Sequence, residues 1–326
     1  MKMQFSNLVM CFLAAFVPLT SIGLVHAQNY PSRPILLVAP FSPGGGTDFS
    51  ARIIAQKLSE SLGQQIVVQN ITGSSGNIGA ERVAKSPPDG YTLLMASSPN
   101  AIAGILFKQV YDFVRDFVAI VQIGSNAQVL VVNPVVPANS VGDLIKLAKQ
   151  KPGILTYGSA GAGAFSHLGG ELLGLNEKIK LTHVPYKGAA VALIGVIGGE
   201  VDMAFITVSS AKPYIGTKRL KLIAVASPKR SVIAPEVPTF DEQGIRNFYL
   251  STWYGVHAPR SVPAEVVKRL NGEIVRILSL PEVEKRMLDQ GIEIATGSPE
   301  EYARHVENEV NKWGKVIREA KLPLRQ

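Results

Sequence analysis

From residue 30 onward, short continuous apolar runs alternate with stretches whose apolar residues recur at helical spacing. Ile35-Leu36-Leu37-Val38-Ala39 is an uninterrupted run, the pattern of a strand covered on both faces of a parallel sheet. The segment Pro40 to Asp48 follows it with three consecutive glycines. Ala51, Ile54, Ala55, Leu58 and Leu62 then recur every three or four residues up to Gly63, a helix-ending glycine. The same order of strand, small-residue loop and helix continues, predicting a strand over 65–69, a helix over 77–85 and a strand over 92–96. A second block opens at the run Val129 to Val132. It predicts a helix from Ser140 through Lys149, a short strand over 155–157, the loop Gly158-Ser159-Ala160-Gly161-Ala162-Gly163-Ala164, and a helix opening near Ser166 with Glu171 beyond. A strand over 182–184, a helix over 189–197 and strands over 201–206 and 220–226 complete that block. From Pro263 the chain is helix-rich: Val266, Val267, Leu270, Ile274 and Ile277 share one face, and Val306, Val310, Trp313 and Ile317 share another. This tail is expected to pack on the first lobe. Repeated βα units predict an α/β chain built on doubly wound sheets.

The segment from Met1 to Ala27 follows a different pattern. Lys2 precedes an apolar run from Leu8 to Leu19, and Val25-His26-Ala27 stands before Gln28. The run is shorter than the roughly 20 residues a bilayer span needs, and the small residues suit a signal peptidase, so a leader cleaved near Ala27 is expected rather than an anchor. The chain's single cysteine, Cys11, sits inside the run and is badly placed for lipid attachment. Cleavage after Ala27 leaves a mature chain from Gln28 to Gln326 without any cysteine. Disulfides, thiol catalysis and thiolate metal sites are thereby excluded from it. With 46% hydrophobic and 18% charged residues the chain can build a sizeable core, and its length suits two lobes. The net charge of +8 favours anionic partners. The basic residues are scattered, however, and none of the interleaving with aromatics that a nucleic-acid groove needs is seen.

Both small-residue loops join a strand to a helix, where ligands of open α/β sheets bind. The first turn of a helix carries amides without intrahelical acceptors and partial positive charge, and glycine removes the side chains that would block them. One such loop in each half predicts two helix starts facing a cleft and holding a small carboxylate. Taken singly, either loop is read equally well as close packing. Asp48 is read as a capping and loop-shaping acid, with hydrogen bonding to a ligand amine or hydroxyl as its alternative. Catalytic motifs fail. Gly73-Ser74-Ser75-Gly76-Asn77 lacks the last glycine of a nucleophile elbow, Gly161 to Ser166 lacks that of a dinucleotide fingerprint, and Gly314-Lys315 is followed by valine. His167, His183, His257 and His305 show no metal-ligand spacing and are read as structural, with a cleft-lining role for His167 as the alternative. No cofactor or metal is expected.

An ordered series of short motifs carries a resemblance to a known family. It comprises Tyr30-Pro31-Ser32-Arg33-Pro34-Ile35, Pro40 to Asp48, Gly76-Asn77-Ile78-Gly79-Ala80-Glu81 and Pro88-Asp89-Gly90-Tyr91-Thr92-Leu93. Asp116-Phe117, Val131-Val132-Asn133-Pro134, His183 to Gly188, Gly199-Glu200-Val201-Asp202-Met203, Val237-Pro238-Thr239 and Trp253-Tyr254-Gly255 follow. Over nearly the whole mature chain the sequence resembles the Bug-type solute receptors of tripartite tricarboxylate transporters.

The resemblance implies a two-lobed periplasmic binding protein of type II, a Venus flytrap, with lobe 1 formed by 28–128 and 251–326 and lobe 2 by 129–250. It implies a monomer that closes on a small carboxylate without transforming it and works with membrane permease subunits. Carried over to this sequence, the ligand-binding set is Phe41, Ser42, Pro43, Gly44, Gly45 and Asp48 in the first loop, and Ser97, Ser98 and Asn100 after the strand over 92–96. Ala160, Gly161, Ala162, Gly163, Ala164 and His167 belong to the second loop, and Thr207 completes the set. At Phe205-Ile206-Thr207 the sequence departs from the Phe-Asp-Asn of the family and loses a carboxylate that would meet a ligand amine, which disfavours an amino-acid ligand. Gln109-Val110-Tyr111-Asp112-Phe113 also departs, in what is expected to be a surface loop. A periplasmic sensing subunit for a two-component system is the alternative function, and an enzyme ranks third.

Overall fold

The computed structural model describes residues 30–107 and 109–322; the expected leader, with Cys11 and the cleavage point near Ala27, lies outside them. In chain order the elements are β1 (Ile35–Ala39), α1 (Gly46–Leu62), β2 (Ile66–Asn70), α2 (Asn77–Ala84), β3 (Thr92–Ser97), α3 (Ser98–Leu106), α4 (Phe113–Asp116) and β4 (Phe117–Val132). Then come α5 (Val141–Gln150), β5 (Thr156–Ser159), α6 (Phe165–Glu177), β6 (Thr182–Pro185), α7 (Ala189–Gly198), β7 (Met203–Thr207), α8 (Val208–Ala211) and β8 (Lys221–Val225). The chain ends with β9 (Ser251–Pro259), α9 (Ala264–Leu278), α10 (Pro281–Asp289), β10 (Glu293–Ile294) and α11 (Pro299–Glu319).

The strands run in the order β2-β1-β3-β9-β4-β7-β5-β6, with β8 and β10 added to β4. At each end of this order the pairs are parallel, β1 with β2 and β3 and β5 with β6 and β7. In the middle they are antiparallel, through β9 and β4. The run Val129 to Val132 is only the last quarter of β4, a strand of 16 residues. From Phe117 to Ala127 it pairs with β9, and from Gln128 to Val132 with β7. The change of partner falls where the returning chain also crosses: Gln128 donates to the Leu250 carbonyl at 2.9 Å, and Ala127 faces Ser251.

Both faces of β4 are covered in its second part, which is why it reads as a continuous apolar run rather than an alternating one. Leu130 and Val132 pack with Leu168, Leu173, Phe205 and Phe240, whereas Val129 and Val131 pack with Leu193, Val196 and Ile206. A separate core of Val38, Leu94, Phe113, Phe117, Trp253 and Tyr302 fills the other half. Helix boundaries follow local chemistry. Gly63 closes α1 at φ 66°, in the left-handed region where glycine carries no Cβ penalty, and the Ser140 hydroxyl caps α5 by accepting from the Asp143 amide.

Two expectations change. The tail does not confine itself to the first half: α11 places Tyr302 and Val306 in one core and Trp313, Val316 and Ile317 in the other, where the Trp313 ring meets Phe165 edge-on at 5.3 Å. Its apolar residues fall in two groups along the helix, and each meets a different core. The 109–113 segment is anchored rather than a surface loop. Tyr111 and Phe113 are buried, and the Tyr111 hydroxyl donates to Asn77 Oδ1 at 3.1 Å, leaving Val110 as the exposed apolar residue. Trp313→Ala should therefore loosen both halves at once and destabilise the fold by about 3–5 kcal/mol, as for a fully buried aromatic; urea denaturation followed by tryptophan fluorescence and circular dichroism measures the loss.

Candidate ligand-binding site

Strands β1, β3 and β5 each hand over to a helix at their carboxyl ends, and a cavity of about 360 Å³ lies there. Its wall is made by Phe41 from the first loop, by Pro99, Ile102, Ala103, Leu106 and Phe107 along α3, by Ala160 to Phe165 and His167 at the second loop and the start of α6, and by Leu322. Among the described residues, no lysine, arginine, aspartate or glutamate lines it.

The first loop is exposed from Ser42 to Gly45, and its shape is set from within. Asp48, on the first turn of α1, is buried and accepts hydrogen bonds from the Gly44 amide at 2.9 Å, Arg52 Nε at 3.0 Å and Asn70 Nδ2 at 2.9 Å. Burial pushes its carboxyl up, but the bonds from Arg52, Gly44 and Asn70 outweigh that and hold it below the ordinary aspartate value. The acid therefore shapes the loop, as expected, through the Gly44 amide, but it does not cap the helix, whose N-cap is Gly45 without a side-chain bond.

After β3, Ser97 is the N-cap of α3 in a capping box with Asn100, whose Oδ1 accepts from the Ser97 amide at 3.0 Å. The Ser98 hydroxyl accepts from the Trp253 amide at 2.9 Å. These three side chains are buried, and Ser98 ties α3 to β9. Among the described residues Asn100 Nδ2 has no hydrogen-bond partner, and it lies close to Gly76 and the Phe41 ring. Thr207 caps α8, its hydroxyl accepting from the Ser210 amide and the Ser209 hydroxyl.

Four amides of the second loop are taken up by its own chain. The Ala160 amide donates to Ser166 Oγ at 2.9 Å, Gly161 to Ser159 Oγ at 3.1 Å, Gly163 to His167 Nδ1 at 2.9 Å and Ala164 to the Gly161 carbonyl at 3.1 Å. Behind it stands a polar cluster. The His167 and His183 rings stack at 3.8 Å, Tyr157 donates to Glu171 Oε1 at 2.6 Å, and His167 Nε2 lies 3.6 Å from the same oxygen. Because His167 Nδ1 accepts a backbone proton, its own proton is assigned to Nε2, facing Glu171. Burial, and after it the neighbouring His167, pushes His183 down to about 4. The His167 contact, with the Tyr157 bond behind it, holds Glu171 below the ordinary glutamate value.

Against known proteins, the model of the tripartite tricarboxylate transporter family receptor matches residues 50–322. The chain belongs to this receptor family. Protein BugT of Bordetella pertussis (strain Tohama I) is 34% identical over 92% of this chain and 93% of its own length. Among solved structures, R. palustris Rpa4515 with adipate is 35% identical with a TM-score of 0.73, over 90% of this chain and 99% of that one. MatC (Rpa3494) from Rhodopseudomonas palustris with bound malate is 29% identical with a TM-score of 0.70, over 88% and 100%. The receptor shares their two-lobed type II binding-protein fold.

Of the residues singled out in the sequence, Phe41, Ala160, Gly161, Ala162, Gly163, Ala164 and His167 line the receptor's cavity. Ser42, Pro43, Gly44, Gly45, Asp48, Ser97, Ser98, Asn100 and Thr207 stand outside its wall in this conformation. The α3 face was missed, although Ile102, Ala103 and Leu106 recur at helical spacing behind a Ser-x-x-Asn cap. Glu171 and His183 were not connected with each other, because the rest of α6 and the turn into β6 separate them in the chain. The Ser159 hydroxyl lies 2.6 Å from His183 Nε2, as in a nucleophile and base pair, but it is fully buried and bonded to both the amide and the carbonyl of Gly161, so it braces the loop.

The fold favours neutral His183, so between pH 6.5 and about 4 the unfolded chain binds a proton that the folded chain does not. Stability should fall as pH drops through that window, and His257, pushed by full burial to about 3, adds to the fall in the same sense. His183→Gln should flatten the profile between pH 6.5 and 4; urea midpoints at a series of pH values measure this, and parallel profiles for the two proteins would contradict it.

Proposed function

We propose that the protein is an extracytoplasmic receptor that takes a small carboxylate into the cavity between its lobes and delivers it, chemically unchanged, to the membrane permease subunits of a tripartite tricarboxylate transporter. Its mature form starts after Ala27, works in the periplasm and is a monomer. Family membership supports the receptor role, and adipate and malate in the two related structures support the ligand class. The observation that carries the reading is the cavity at the carboxyl ends of β1, β3 and β5, bounded by the first loop, α3 and the second loop.

In this reading lobe 1 comprises 28–128 and 251–326 and lobe 2 comprises 129–250, with the pivot where β4 exchanges β9 for β7 and the chain returns at Leu250. Closure brings the exposed Ser42, Pro43, Gly44 and Gly45 onto a ligand seated against Phe41 and the second loop. Amides of the first turn of α1 then receive the carboxylate, since no carbonyl lies one turn earlier to accept from them. Asp48, Ser97, Ser98 and Asn100 hold the shape of this wall, and Thr207 stands at the equivalent strand end of lobe 2.

A ligand that prefers the closed form stabilises it, by about 2.7 kcal/mol at 100 times its dissociation constant. Thermal denaturation against a panel of carboxylic acids should therefore reveal at least one that raises the midpoint, with unchanged acid recovered by chromatography afterwards. Turnover of the acid would overturn the receptor reading. Gly45→Val should abolish that stabilisation while costing the ligand-free fold about 1 kcal/mol or less. A Cβ at Gly45 meets only the Ser42 carbonyl, at an ordinary 3.7 Å, so the loss is one of access and not of folding.

A further inference from the structure

The third glycine of the first loop is not explained by its own backbone. Gly44 has a φ of 84°, in the region that favours glycine, but Gly46 is the first helical residue of α1 and lies outside that region. What requires it is a neighbour. A Cβ built at Gly46 would strike the Tyr254 hydroxyl and come within 2.7 Å of Cζ, the ring carbon that carries it. The hydroxyl of Tyr254 therefore stands directly beside the first turn of a 17-residue helix.

Tyr254 reaches that position from the sheet. It lies on β9, opposite Ser97 at the carboxyl end of β3 and opposite Gly124 on β4. Successive side chains of a strand point to opposite faces: Trp253 meets Tyr302 of α11 edge-on, and Tyr254 rises on the other face, against the start of α1. The residue is 8% exposed, and among the described residues its hydroxyl has no hydrogen-bond partner. Burial pushes the phenol up to about 12, so it keeps its proton at neutral pH and can donate.

A buried hydroxyl without a partner is unfavourable, and the helix start beside it is short of acceptors too. The first intrahelical bond is Phe49 to the Gly45 carbonyl, which leaves the Gly46, Thr47 and Asp48 amides without an acceptor one turn earlier. The Asp48 carboxylate on this turn is engaged by Gly44, Arg52 and Asn70. Donors from the sheet and from the helix thus converge at one place, and the group that satisfies both is an anionic acceptor with two oxygens.

We infer that Tyr254 is a ligand-binding residue, whose hydroxyl and the first-turn amides of α1 hold the carboxylate between them, one oxygen on each. The inference rests on the carboxylate-receptor reading above and adds to it a side-chain donor supplied by β9. It also gives Gly46 its role, since any side chain there would displace that donor.

Tyr254→Phe provides the test, because it keeps the ring and removes only the hydroxyl oxygen. Isothermal titration of the full mature chain with adipate, malate, citrate and benzoate should show every one of these acids that the unchanged protein binds weakened at least tenfold, the value of a hydrogen bond to a charged group. The urea midpoint of the ligand-free protein should stay the same or rise, because the hydroxyl has no partner to lose until the ligand arrives. A loss of affinity smaller than tenfold would overturn the assignment while leaving the receptor reading in place. A lowered ligand-free midpoint accompanying the loss would overturn it as well, since the hydroxyl would then be a brace of the fold. Failure of all four acids to bind the folded, unchanged protein would overturn the carboxylate reading and this inference with it.

Discussion

One strand determines how this molecule is put together. β4 is long enough to serve two sets of partners, and its backbone ladder passes from β9 to β7 without a break between Ala127 and Gln128. Hydrogen bonds along the ladder satisfy amides that would otherwise be buried unpaired in either half, so the two halves cannot be built independently. The order of strands follows from it: parallel βα units at both ends, joined through an antiparallel centre. With the sheet fixed, the carboxyl ends of β1, β3 and β5 and the helices that follow them meet around one cavity.

Among the described residues, the cavity is walled without a lysine, arginine, aspartate or glutamate. Polar groups near it are mostly engaged in holding the walls: Asp48 on the first loop, the Ser97 and Asn100 box on α3, and Ser159, Ser166 and His167 on the second loop. Each of these bonds forms during folding, so the ordering cost is met before any ligand arrives. Aliphatic and aromatic side chains make up much of the remaining wall.

Much of this was legible in the sequence, for identifiable reasons. The strand of Ile35 to Ala39, the helix ending at Gly63 and the helix opening at Ser140 rest on local patterns, and the structure has them. Phe41, the loop from Ala160 to Ala164 and His167 were read from glycine placement at strand ends and from the family resemblance, and they line the cavity. Illegible were features that depend on distant partners. From Phe117 to Ala127, β4 alternates too irregularly to read as part of one strand, and only pairing with β9 reveals it. The stacking of His167 on His183 joins α6 to β6, and no spacing rule reports it. In the second loop the glycines were visible, but the Ser159, Ser166 and His167 acceptors that take up the Gly161, Ala160 and Gly163 amides were not.

The α11 helix has a bearing on how the protein endures without crosslinks. Its first turns are embedded with Tyr302 and Val306 in one core and its later turns with Trp313 and Ile317 in the other, in a chain whose single cysteine, Cys11, allows no disulfide within it. In the absence of covalent staples, resistance to proteases depends on how much free energy is needed to expose a cleavable segment. A single rod clamped in both halves closes the low-energy route, since neither half can fray without prising the rod from the other, and partial opening then demands nearly as much as losing the whole fold.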